Sequence, residues 1–235
     1  MSFSPATFRF LRGLKRHNAR PWFEAHRAEY ETQVRAPMHA LIEDMDVRLA
    51  RFAPEIIGHP RRSMFRIYRD IRFSSDKSPY KTHAACWFYH RDADRRVGSE
   101  AEGGGAGFYF HVAPDGCYVG GGIWMPARGV LIRIRDGLAE DHRTFERIVR
   151  ARPFLRRFGE LDDEAALKRM PQGFPDDHPA APWLKYRSFV AGREITQRQV
   201  TSPGLPALLE KDFLGLLPLV RWLNAALGLR PATQR

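Results

Sequence analysis

The hydrophobic period of this 235-residue chain changes twice, and no other feature limits its fold as strongly. Up to Phe52 the apolar positions recur every three or four residues. Ser4-Pro5 reads as an N-cap followed by proline at the first helical position, and Phe8, Leu11 and Leu14 then form a stripe that stops near Lys15 to Asn18. Pro21 opens a second helix with Trp22, His26, Tyr30 and Val34 at spacing four. A third, after Pro37, carries Met38, Leu41, Ile42, Met45, Leu49 and Phe52. From Ser63 the period becomes two. In SMFRIYRD, Phe65 and Ile67 alternate with Arg66, Tyr68 and Asp70, and HAACWFYH over 83–90 is a β-favouring run of aromatic and small residues. The stretch 107–126 supplies two more strands joined by a turn at Pro114-Asp115-Gly116. Helical spacing returns at 127–140 and 142–151, and again from Pro206 to Leu227 in a stripe interrupted at Pro218. SFVAGREIT over 188–196 is a fifth strand. Helices, then strands, then helices, without βαβ alternation, predict an α+β fold. Its mainly antiparallel sheet has about five strands, a meander over 63–125 plus a strand near 188–196, packed with N-terminal and C-terminal helices. With 43% apolar residues the chain can fill one core, so residues 1–230 are expected to form a single domain.

Composition narrows the setting. No apolar run approaches the roughly 20 residues that span a bilayer, and the first 20 residues lack the apolar core of a signal peptide, so the expectation is a cytoplasmic protein with no membrane partner. Cys86 and Cys117 allow at most one bridge and are expected to be free, buried thiols. The net charge of +11 favours acidic partners, although an arginine-rich composition alone produces such a total. Its distribution says more: Arg61, Arg62, Arg66, Arg69, Arg72, Lys77 and Lys81 stand within 21 residues against only Asp70 and Asp76. The charged and then glycine-rich stretch 91–107 is expected to be an exposed connection between strands.

The centre of the basic stretch is RDIRFSSDKSPYKT, residues 69–82. Arg66, Arg69-Asp70, Arg72-Phe73-Ser74, Asp76-Lys77 and Pro79-Tyr80-Lys81-Thr82 resemble the signature of a family of proteins of about this length, known as a domain of unknown function. The resemblance extends to Trp22-Phe23, to Tyr118, Gly120, Gly121 and Pro126, and to Pro171, Gly173-Phe174 and Leu184-Lys185. This chain departs from the pattern at His83, where asparagine would follow the threonine, and in a longer glycine-rich connection at 103–107. Membership implies no activity, so the chemistry rests on the residues.

Three readings of the motif are open. Guanidinium forks match phosphate or carboxylate and lysine adds point charge, so Arg66, Tyr68, Arg69, Arg72, Lys77, Tyr80 and Lys81, with Lys185 as a remote contributor, make a candidate site for an anionic small molecule or nucleic acid. Alternatively, Asp70 or Asp76 serves as general base or magnesium ligand in phosphoryl transfer or hydrolysis. In the third reading both aspartates pair with their basic neighbours and the motif is an internal latch. In a strand, Arg66, Tyr68 and Asp70 share one face and Arg69 takes the other. No cofactor is specified. There is no GxxxxGK[ST] loop, and Gly120-Gly121-Gly122 does not match GxGxxG and reads better as a bulge or close helix contact. His83 and Cys86 fall on opposite faces of a strand, so no structural zinc is expected. Trp87, Tyr89, Tyr109 and Tyr118 could form a stacking platform or simply part of the core.

Overall fold

The computed structural model describes residues 2–70, 72, 76–93 and 103–232. Most of the expected connection at 91–107, and positions 71 and 73–75 of the motif, lie outside the described residues. Helix α1, Pro5–Arg16, begins with a capping box: the Ser4 side chain caps the first turn and the Ser4 N–H donates to Thr7 Oγ1 at 3.1 Å. Helices α2, Arg20–Ala25, and α3, Arg27–Tyr30, follow. The chain then passes through a π-helical turn, Glu31–Arg35, into α4, Ala36–Phe52, with no break at Pro37. This differs from the separate third helix expected after Pro37. Proline has no N–H, so the Gln33 carbonyl loses its helical donor. The buried Thr7 hydroxyl donates to it instead at 2.6 Å, tying α1 to the π turn.

Among the described residues the strands form one five-stranded antiparallel meander: β1 Ile56–Ile57, β2 Ala84–His90, β3 Gly107–Val112, β4 Cys117–Ile123 and β5 Phe189–Ile195. The α+β class and the antiparallel sheet are as expected. The first strand, however, is Ile56–Ile57, which pairs with Tyr89 and His90 at one end of β2. After a helical turn, α5 Pro60–Ser63, the 63–70 segment reaches the other end of the same edge and meets it through the Met64–Cys86 bridge and the Phe65 N–H to Ala85 O bond of 3.0 Å. It then leaves the sheet and pairs with its own return, Tyr68 opposite Tyr80. The alternation survives: Ile67 is buried, while Arg66, Tyr68 and Asp70 are exposed.

Strand alternation gives the sheet two unlike faces. Cys86, Phe88, Phe108, Phe110 and Val119 point into the core, where α10, Leu205–Ala226, lies across the sheet and stacks Phe213 on Phe108 with ring centroids 4.4 Å apart. A Cβ on Gly121 would stand 3.1 Å from Gly107 O and from the Phe108 ring, so the tight neighbour is strand β3, while Leu216 Cβ of α10, at 3.4 Å, is at ordinary contact distance. Gly122 has φ +126°, a backbone that side-chain-bearing residues rarely adopt. Helix α10 continues through Pro218 rather than stopping there. Pro218 and Leu214 are both exposed, so the carbonyl freed by the proline can be met by water. Helix α6, Arg128–Val149, joins the two expected helices across a kink at Asp141, whose carboxylate accepts the Thr144 N–H at 3.1 Å and restarts the second half. Short helices α7 Arg152–Phe158, α8 Ala181–Leu184 and α9 Gln197–Val200 complete the covering of the core face. Among the described residues, no helix is long and apolar enough to cross a membrane.

Candidate ligand-binding site

The motif is braced from within. Arg72 bonds Asp70 through Nη2 at 2.7 Å and Nε at 3.0 Å, and Arg69 meets Asp76 at 2.8 Å. Asp76 also accepts the Ser78 N–H at 2.9 Å, shaping an Asx turn. The hydrogen bonds from Arg72 hold the Asp70 carboxyl down to about 2, and those from Ser78 lower Asp76, so both are weak bases. Asn18, in the loop between α1 and α2, acts as a one-residue strand partner for the return: its amide donates to Tyr80 O at 2.9 Å and accepts the Tyr80 N–H at 3.0 Å. The buried Tyr80 ring stacks on Phe23 at 4.2 Å. This grip sets the exit of Lys81 towards the sheet.

Lys81 enters a cavity of about 730 Å³ on the sheet face opposite α10. Its walls are Phe65, Trp87, Tyr109, Tyr118 and Trp124, with His83 and His111 between them and Asp162 also on the lining. The Lys81 ammonium sits over the Phe65 ring at 5.4 Å, and among the described residues no carboxylate comes within ion-pair distance of it. Burial first, then the neighbouring Arg66 and Arg69 charges, lower its pKa. The two imidazoles lie 5.7 Å apart. His111 Nε2 faces Gly116 O at 3.2 Å and Nδ1 faces Tyr109 Oη at 3.2 Å; because a carbonyl only accepts, the proton belongs on Nε2 and the tyrosine donates to Nδ1. Burial lowers both histidines, His83 to about 4 with help from His111, Lys81 and Arg69, so at neutral pH each is uncharged. Tyr118 lies flat over glycine: a Cβ on Gly120 would stand 2.6 Å from its ring, and one on Gly192 would collide with its hydroxyl. These glycines make room for the tyrosine that walls the cavity.

The chain's match to a protein family covers residues 6–222, from the first turn of α1 to near the end of α10. It belongs to the DUF2461 family of conserved hypothetical proteins. No curated protein and no solved structure matches it. The family description assigns no activity, so the site's chemistry is read from its own geometry.

The expected site residues of this DUF2461 member divide across the 64–68 segment. Lys81 lines the sheet cavity. Arg66 and Tyr68 open instead into a second cleft of about 390 Å³ against α3, the π turn and α4, and Phe65 borders both spaces. Arg69 and Arg72 are engaged by Asp76 and Asp70, Tyr80 is packed inside, and Lys77 is exposed on the loop. Lys185 is not among the residues lining either space; its carbonyl accepts the Leu167 N–H at 2.8 Å. Of the aromatic platform, Trp87, Tyr109 and Tyr118 line the cavity and Tyr89 does not. His83, His111, Trp124 and Asp162 are additional. A signal for the histidines was present, since His83, Ala85 and Trp87 share strand parity and His111 pairs with Tyr118. Among the described residues no three His, Cys, Asp or Glu side chains gather where they could hold a metal ion.

Proposed function

We propose that this chain is a binding module for a small anion with a planar body, of which an aromatic acid or a nucleotide is the simplest form, seated in the sheet cavity with its acidic group at Lys81. The observation that carries the reading is a half-buried lysine that, among the described residues, has no carboxylate within ion-pair distance, placed among five aromatic walls with Asp162 the acidic residue on the lining. Taking an ammonium partly out of water is costly, and an incoming carboxylate or phosphate offsets that cost. Aromatic faces favour a flat ligand. Neutral His83 and His111 can each donate or accept a hydrogen bond without adding charge. The free, buried Cys86 and Cys117 are in keeping with a reducing, cytoplasmic setting, and the continuous hydrophobic cluster supports reading residues 1–230 as one domain.

The Asp70–Arg72 and Arg69–Asp76 pairs favour the latch as a second role for the same motif, bracing the loop that delivers Lys81. Phosphoryl transfer or hydrolysis through Asp70 or Asp76 finds less support, because both carboxylates are exposed, lie outside the cavity lining and are already engaged. A thermal-shift screen of aromatic carboxylates, nucleotides and sugar phosphates at low salt tests the proposal. Stabilisation by planar anions, weaker for their neutral analogues, is expected; a flat response across all anions would rule the reading out.

A further inference from the structure

The second cleft carries more positive charge than the sheet cavity. We infer that it is a separate site for a phosphate dianion, free or as a small monoester, held by the guanidinium groups of Arg61 and Arg66. The cleft is lined by Arg27, Arg35, Arg61 and Arg66 with Glu31 as the only acidic side chain on that lining. Two of these arginines are spoken for: Arg27 forks onto Glu24 at 2.7 and 2.9 Å, and Arg35 meets Glu31 at 3.0 Å. Arg61, from α5, and Arg66, from the irregular segment, have no carboxylate within ion-pair distance among the described residues. Both residues border one cleft, and a tetrahedral dianion can present an oxygen edge to each guanidinium fork and neutralise the pair.

The walls strengthen the field. Phe23, Tyr30 and Phe65 give the cleft low-dielectric sides, and Tyr68, also on the lining, carries a hydroxyl that can donate to an anion. The π turn, a device that recurs at functional sites, sets Glu31 and Arg35 at the cleft. At about 390 Å³ the space admits a phosphate with a short organic remainder. His39, also on the lining, senses the balance: burial lowers its pKa, Arg35 and Arg61 lower it further, and Glu43 and Glu31 oppose them. An anion bound at Arg61 cancels part of that residue's effect and raises it.

The test titrates His39 by NMR in the full chain, with inorganic phosphate, glycerol 3-phosphate, a single-stranded oligonucleotide and chloride at matched ionic strength. The inference expects phosphate and the monoester to raise the His39 pKa by roughly one unit at saturation. Arg61→Ala/Arg66→Ala should remove that rise and weaken binding at least about tenfold. Arg61→Lys/Arg66→Lys, which keeps charge but not the fork, should bind with intermediate strength. Lys81→Met should leave the rise intact, which separates this site from the sheet cavity. A His39 response to phosphate no larger than to chloride overturns the inference, as does undiminished binding in the double alanine variant with an unchanged melting temperature. Arginine-dependent binding of the oligonucleotide without binding of either small phosphate would replace it with a nucleic-acid site.

Discussion

Single side chains decide the site's geometry. Asn18 matters more than its place in a loop suggests, because it satisfies both backbone groups of the buried Tyr80. Asn18→Ala leaves an amide and a carbonyl without partners and is expected to cost roughly 2–4 kcal/mol of stability in chemical denaturation. A loss within 0.5 kcal/mol would mean that water replaces the asparagine. His83 gives a pH signature. Its folded pKa, near 4, lies below the value of about 6.5 for an exposed imidazole, so the unfolded chain binds the extra proton. The stability linked to neutral His83 is therefore fully present above pH 6.5 and lost as pH falls towards 4. His111 is shifted in the same direction and adds to the slope. Asp70 acts lower, between its ordinary pKa of about 3.8 and 2. Melting curves between pH 4 and 7 should show this slope, and His83→Asn should flatten part of it. An unchanged slope in that variant would show that His83 does not remain neutral in the folded chain.

Elements were legible where a period ran long enough to register. The stripes in α1, α4 and α10, four of the five strands and the break at Asp141 follow from spacing alone. The strand Ile56–Ile57 is too short for alternation to appear. The 63–70 segment alternates as a strand does, yet its edge position and its pairing with 79–81 draw it out of the sheet. Pro37 and Pro218 looked like boundaries because local rules make them so, and tertiary context supplied other partners: the Thr7 hydroxyl in one case, the solvent-facing side of the helix in the other. The site was half legible. The motif displayed the basic cluster, and its internal ion pairs, Arg72 with Asp70 and Arg69 with Asp76, follow from it directly. The cavity around Lys81 depends on strands distant in sequence coming together and on α10 covering only one sheet face, which no local pattern encodes.

At the scale of the molecule the two sheet faces divide the work. The core face is held by α10, itself pinned by fully buried Asp212 between Arg157 of α7 and Arg193 of β5, the latter at 2.7 Å. Asp212→Ala leaves two half-buried arginines without their shared carboxylate and is expected to cost about 3 kcal/mol by denaturant unfolding. A cost under about 1 kcal/mol would indicate that the arginines find water instead. With the core secured on one face, the other is left to aromatic walls, neutral histidines and Lys81. The most direct test of that division uses the fluorescence of Trp87 and Trp124 on the cavity wall. The best planar anion from the thermal screen is titrated into the wild-type chain and Lys81→Met. Saturable quenching that weakens at least about tenfold, or 1.4 kcal/mol, in the variant is the predicted result. Equal affinity in the two proteins, or no saturable quenching in either, would contradict it.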